Sequence, residues 1–221
     1  MFTNMIPNIE KMLGRYSGLF VQGLGYTLLL SLLTVLGGTV LGSLLALMRR
    51  SRAVPVRVIA TTYVEVVRGT PLLLQLYVFY FMLPELNLSK FASIVIALVF
   101  NSAAYVCEIV RAGIDAVDPG QTEAARSLGM SGAQGMRRIV LPQAVRNILP
   151  ALCNEFVAVI KETSLASTFF VGDLMTQYSV IRGNMFLVIE PLLVVGVIYF
   201  MLTFTLSKAV AMLERRLKAG D

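Results

Sequence analysis

Apolar residues run along this chain in five long stretches separated by short polar ones. The first, from about Leu19 to Met48, stops at Arg49-Arg50-Ser51-Arg52; the second begins near Val58 and breaks off at Leu83-Pro84-Glu85; the third covers about Phe91 to Ala112. After a polar, Gly-rich interval from Asp115 to Arg146, a fourth stretch runs from Ile148 towards Phe170 and a fifth from about Phe186 to Leu206. Each has about 20 residues or more, the length a helix needs to cross roughly 30 Å of hydrocarbon. The pattern predicts an all-α integral membrane bundle of about five transmembrane helices, with its termini on opposite sides. The segment before the first stretch carries Glu10, Lys11 and Arg15 and no small-residue cleavage site. It is read as retained rather than removed as a signal, residues 1–18 lying along the outer membrane surface. The whole of 1–221 is then one transmembrane domain, interrupted by a loop at 115–146.

Composition agrees: of 221 residues, 57% are hydrophobic and 14% charged, with mean hydropathy +0.76, against about half and a quarter in soluble domains. The net charge of +6 would suit nucleic acid, but the positions of the basic residues account for it otherwise. Arg49, Arg50, Arg52, Arg57, Arg126, Arg137, Arg138, Arg146, Lys208, Arg215, Arg216 and Lys218 fall on one side of the five crossings. Lys11, Arg15, Lys90 and Arg182 fall on the other. By the positive-inside rule the amino terminus is external and the 115–146 loop and carboxyl terminus are cytoplasmic, so no nucleic-acid partner is invoked.

The absence of histidine rules out a His-based triad, an HExxH zinc helix and imidazole metal sites. Cys107 and Cys153 sit in apolar stretches and form no CxxC motif, so they read as small hydrophobes. The expectation is movement of a solute, with no catalytic or metal-binding residues. Gly38 and Gly42 in the first span form a small-xxx-small pair, which allows close helix approach, more often inside a chain than between chains.

The 115–146 loop carries its own punctuation. Asp118-Pro119-Gly120-Gln121 has the N-cap, the first-turn Pro and the reach-back residue of a capping box, and Gly129 suits the left-handed end of the helix that follows. Ser131-Gly132-Ala133-Gln134 repeats the cap spacing and predicts a second helix running to Leu141, before Pro142. Two short capped helices make a rigid knob. Ala124 and Ala125 would let a partner approach, with Glu123 and Arg126 at the rim.

Within that knob Glu123-Ala124-Ala125, Gly129 and Ile139-Val140-Leu141-Pro142 stand at the spacing EAA-x3-G-x9-I-x-L-P. This resembles the coupling loop of the membrane subunits of ATP-binding cassette importers of type I. Val67-Arg68-Gly69-Thr70-Pro71, Asn101-Ser102-Ala103-Ala104-Tyr105 and Lys161-Glu162-Thr163-Ser164-Leu165 extend the likeness to the polar amino-acid subfamily, which handles histidine, arginine and glutamine, over nearly the whole chain. The resemblance implies a permease of the bacterial cell membrane working beside a second copy or homologue. Its further partners would be a cytoplasmic ATPase dimer holding ATP and magnesium, an extracytoplasmic amino-acid-binding protein and an amino-acid substrate moved by alternating access. It assigns Glu123, Ala124, Ala125, Gly129, Ile139, Leu141 and Pro142 to ATPase coupling. No GxxxxGK[ST] phosphate loop occurs, so this chain is expected to be no enzyme and to carry no cofactor; its partner hydrolyses the ATP.

Charges within spans serve as default functional candidates, since they are costly in hydrocarbon. Counting from the inner end of each span puts Arg68 and Thr70 in the second, Asn101 and Tyr105 in the third and Glu155 in the fourth near the midplane. Glu108 follows Asn101 and Tyr105 on one face, and Glu162 follows Glu155 by seven residues, again on one face. Thr70-Pro71 is expected to open the helix and expose backbone groups. These seven residues are the candidate substrate contacts. Structural pairing competes with that role for Glu65 with Arg68, Glu108 with Arg111, and Lys161 with a neighbouring acid. Four in-span acids (Glu65, Glu108, Glu155, Glu162) against three bases (Arg68, Arg111, Lys161) lean towards a basic amino acid. A stand-alone ion-coupled transporter or channel is the alternative that buried acids permit. A hydrolase using Ser164 and Lys161 has the least support, lacking an oxyanion motif.

Overall fold

In a computed structural model, described here over residues 5–218, α1 spans Met5–Arg49 without a break. Its 45 residues make it roughly 67 Å long, about twice the hydrocarbon thickness. The segment expected to lie separately on the surface is thus, from Met5 onward, the first turns of the same helix; residues 1–4 and 219–221 lie outside the described residues. Met12 and Phe20 in this part are buried against Leu174, Tyr178, Ile181 and Val195, and Asn8 Nδ2 donates to Glu190 Oε1 at 2.9 Å. These contacts tie the first turns of α1 to the helices at Leu174–Met185 and Ile189–Lys218.

Next come α2 (Val54–Arg68) and α3 (Leu72–Met82), which meet at an angle of 108°. The cause is local. Pro71 has no amide hydrogen to continue the ladder and disfavours helical backbone at Thr70. A short 3-10 turn, Leu83–Leu86, leads to α4 (Lys90–Asp115), whose cap Ser89 accepts from Ala92 N at 3.1 Å. Helices α1 and α4 approach closely: a Cβ at Gly37, Gly38 or Gly42 would stand 2.8, 2.8 or 2.7 Å from Val99, Ser102 or Ala103. The small residues therefore serve packing within the chain.

Below the bundle lie α5 (Pro119–Ser127) and α6 (Gly132–Gly135). Asp118 caps α5 by accepting from Gly120 N at 2.7 Å, but Gln121 turns to Gln143 instead of reaching back. Ser131 and Gln134 do form the reciprocal capping box. The expected stop before Pro142 is absent, because a π-turn over Met136–Val140 leads straight into α7 (Leu141–Glu162). There Leu141 N bonds Met136 O, one residue wider than an α-turn, which lets the helix absorb Pro142. After a 3-10 turn (Thr163–Phe169) come α8 (Leu174–Met185) and α9 (Ile189–Lys218).

Helix α8 has no counterpart in the hydropathy pattern. Asp173 caps it, accepting from Met175 N at 3.0 Å, from Thr176 N at 3.3 Å and from the Thr176 hydroxyl, while Leu174 N donates to Thr27 of α1 at 3.1 Å. Burial pushes the Asp173 carboxyl above its usual range, against the pull of these bonds.

Among the described residues, three helices are long and apolar enough to cross a membrane, α1, α4 and α9, with a fourth if the bent pair α2–α3 is one span. The fourth apolar stretch of the sequence is α7, with 22 residues, long enough at about 33 Å but more polar than these helices. It lies against α4, α9 and α1 and buries Ala144, Ile148, Val157, Val159 and Ile160 there, while Arg146, Asn147, Asn154 and Lys161 stay exposed. Large apolar side chains stay exposed along α1 (Leu32, Leu36, Val40, Leu44, Leu47) and α9 (Val197, Phe200, Met201, Phe204), as suits surfaces in contact with lipid or another subunit.

Candidate functional site

Helix α4 divides the candidate residues between its two faces. On the side of α2 and α3, Gln75 Nε2 donates to Val67 O (2.8 Å), Thr70 O (3.2 Å) and Thr70 Oγ1 (2.9 Å), and its Oε1 accepts from Asn101 Nδ2 at 3.0 Å. The Thr70 hydroxyl donates to Val66 O at 2.9 Å. The carbonyls that a broken helix was expected to offer a ligand are thus largely taken by Gln75 and Thr70. Asn101, 4% exposed, holds the break in place.

One turn further along α4, Tyr105 is 38% exposed and lies under the Arg68 guanidinium, 5.7 Å from ring centre. Glu108 follows, hydrogen-bonded to Arg49 and held by Arg111, whose Nε and Nη2 donate to Oε2 at 3.0 and 2.8 Å. Arg68 reaches the same carboxylate at 3.8 Å, so the Glu65 partner expected for it is replaced by Glu108. Asp115 takes Arg50 and Arg111 at 3.0 and 2.9 Å. Four arginines against two acids leave this cluster with surplus positive charge.

The opposite face of α4 meets α7. There Ser102 Oγ donates to Glu155 Oε1 at 3.1 Å. Glu162, two turns further, is likewise partly buried. Among the described residues neither Glu155 nor Glu162 has an ion-pair partner within 4.0 Å, and no bridge joins Lys161 to an acid. The structure therefore brings Arg68, Thr70, Asn101, Tyr105 and Glu108 into one seam and sets Glu155 with Glu162 apart from them. Ser164 Oγ donates to Lys161 O at 2.6 Å, which turns it to the backbone and away from nucleophilic use.

On the knob, Glu123, Ala124 and Arg126 are exposed, whereas Ala125 is 1% exposed. It faces Gly135, where a Cβ would stand 3.3 Å from its own, so only Ala124 of the two alanines is open to a partner. Gly129 has φ +78°, the left-handed conformation that glycine adopts freely. Leu128 beside it is 80% exposed. Ile139 is half-buried in the π-turn, and Leu141 and Pro142 are exposed at the start of α7, so the end of the motif shapes the join to the bundle and not the tip. Arg49, Gln75, Ser102 and Asp115 are the site residues that spacing did not single out. Ser102 stands inside the Asn101 to Tyr105 motif, but only its partner reveals what it does.

Residues 38–219 match the family described as binding-protein-dependent transport system inner membrane component. The chain belongs to this family. The permease is 39% identical, over all of its own length and 98% of the relative's, to the arginine transport system permease protein ArtQ of Bacillus subtilis. It is 37% identical to the probable glutamine permease GlnM of the same organism, over 96% and 98% of the two chains. It is also 38% identical to that organism's L-cystine permease TcyB, over 88% and 85%. Among solved structures, a chain of an amino acid transporter of the ATP-binding cassette class, crystallised with histidines, superposes with TM-score 0.89 at 46% identity, covering 92% of the permease and 96% of that chain. The inward-facing methionine transporter MetNI superposes at 0.72 with 18% identity, covering 90% and 98%, a likeness of fold alone. The expected all-α permease is thus the observed one, an amino-acid permease subunit whose ATPase is a separate chain.

Proposed function

We propose that this permease imports a polar amino acid, with a lean towards basic ones, using ATP and magnesium held by a cytoplasmic ATPase dimer. A second permease copy or homologue completes the pathway, and an extracytoplasmic binding protein delivers the substrate. In this reading the amino terminus is external, and the 115–146 loop and carboxyl terminus are cytoplasmic. Arg68, the half-exposed cation of the α2–α4 seam, receives the substrate carboxylate. Tyr105 flanks it; Thr70 and Asn101 hold the break from which Arg68 projects. Glu108 keeps Arg68 in place between turnovers. Glu155 and Glu162 receive the ammonium group and a basic side chain.

The observation that carries the reading is the unequal neutralisation of the acids: Glu108 is surrounded by arginines, while Glu155 has one hydroxyl and no cation. The surplus negative charge that favours a basic substrate therefore resides on α7, in place of being spread over the bundle. Glu123, Ala124 and Gly129 dock the knob to the ATPase, Ala125 supports it from within, and Ile139, Leu141 and Pro142 join it to α7.

The test uses the complex reconstituted in liposomes, with ATPase stimulation measured for L-arginine, L-lysine, L-histidine, L-glutamine and L-glutamate. Glu155→Gln should raise the half-saturating concentration of the best substrate about tenfold, roughly 1.4 kcal/mol. Unchanged stimulation for every amino acid on the panel would remove Glu155 from the site.

A further inference from the structure

Acids and bases alternate along α4 at one-turn spacing: Glu108, Arg111, Asp115. The Arg111 guanidinium is shared between the two acids. Its Nε and Nη2 donate to Glu108 Oε2 at 3.0 and 2.8 Å, and its Nη1 donates to Asp115 Oδ2 at 2.9 Å. One planar fork thereby joins carboxylates whose backbones are about 10 Å apart along the helix. A lysine ammonium, a single point of charge on a flexible stem, does not reproduce that geometry.

The two ends of this line reach different functional regions. At the upper end Glu108 is held by Arg49 and Arg111 through hydrogen bonds, whereas Arg68 stands 3.8 Å away with its side chain 46% exposed. Arg68 is the cation that Glu108 holds least, and it is the last residue before the 108° break between α2 and α3. At the lower end Asp115 borders a cavity of about 380 Å³ between the bundle and the knob, shared with Arg50, Pro119, Thr122 and Arg126.

We propose that Glu108, Arg111 and Asp115 form a positioning line that links Arg68 to the coupling loop, with Arg111 as its joint. The proposal rests on the substrate role given to Arg68 above. A substrate carboxylate that draws Arg68 away leaves Glu108 to take its compensation from Arg49 and Arg111. The shift in Arg111 then alters its hold on Asp115, beside the start of α5. By linkage the same coupling runs in reverse, so a push on α5 changes the grip of Glu108 on Arg68. The two-state element is the choice of anion by Arg68, Glu108 or substrate.

The experiment uses the complete complex of permease, ATPase and loaded binding protein. The stimulus is whichever of L-arginine, L-lysine, L-histidine, L-glutamine and L-cystine activates the wild type most. Arg111→Lys and Asp115→Asn should keep basal ATPase activity and bind that amino acid within about twofold of wild type, while stimulation falls about fivefold or more. Arg50→Gln removes the other partner of Asp115 and leaves the bridge intact, so it should keep stimulation. Full stimulation in Arg111→Lys overturns the proposal, and so does a loss of binding in step with stimulation or an equal loss in Arg50→Gln. The substrate reading fails separately: unchanged amino-acid binding in Arg68→Gln takes Arg68 out of the site, whatever Arg111→Lys does.

Discussion

The two faces of α4 are built from the same kinds of residue and treat them in opposite ways. Towards α2 and α3, the central amides and Glu108 are met within the chain: Asn101 by Gln75, Gln75 by the carbonyls of the break, Glu108 by three arginines. Towards α7, Glu155 is met by the single hydroxyl of Ser102. A buried carboxylate with that little compensation is costly in a membrane. Under the proposed function, the saturated network braces Arg68 for the substrate carboxylate, and the open acid on the other face is left for a cation.

The largest effect should come from breaking the saturated face. Glu108→Gln removes the charge on which Arg49, Arg68 and Arg111 converge and leaves like charges facing one another. It should lower stability by about 3 kcal/mol, seen as a fall in the thermal midpoint of the purified complex in detergent. A midpoint equal to that of the wild type would place Glu108 with the cargo residues instead. Next in size, Gln75→Ala leaves the Asn101 amide and two carbonyls at the break without their partner and should cost about 2 kcal/mol. The same thermal measurement checks it, and protection of the α2–α3 amides from hydrogen exchange should fall with it. Smallest is Ser102→Ala on the open face, at about 1 kcal/mol or less. Here transport should change more than the midpoint, as the half-saturating concentration rises when Glu155 loses the Ser102 hydroxyl. A large drop in midpoint with unchanged transport would erase the contrast between the faces.

Much of the architecture was legible from local chemistry. Thr70-Pro71 marked the break because a missing amide hydrogen acts wherever the chain goes, and Ser131 with Gln134 formed its box because both partners lie within one turn. The reach-back from Gln121 failed for the converse reason: Gln143, 22 residues away, competes for the same side chain. Continuity of α1 through residue 18, and of the helix through Pro142, was hidden because charges and prolines are average signals that neighbouring packing or one wide turn can override. Helix α8 was hidden because its cap, its buried face and its Thr27 contact all depend on elements far off in sequence. In the candidate site, residue types and faces were readable, and the partners of Glu108 were not.

The sequence by itself determined that this is a helical membrane permease with a capped knob, because apolar length, turn chemistry and motif spacing act locally or repeat along the chain. Which acid is neutralised and which is left open was decided only by the tertiary structure. Arg49 and Arg68 come to Glu108 from other helices, 59 and 40 positions away along the chain, and electrostatic compensation depends on distance in space. Two glutamates of identical intrinsic chemistry thereby acquire different parts, Glu108 as an anchor among arginines and Glu155 as the open acid beside Ser102.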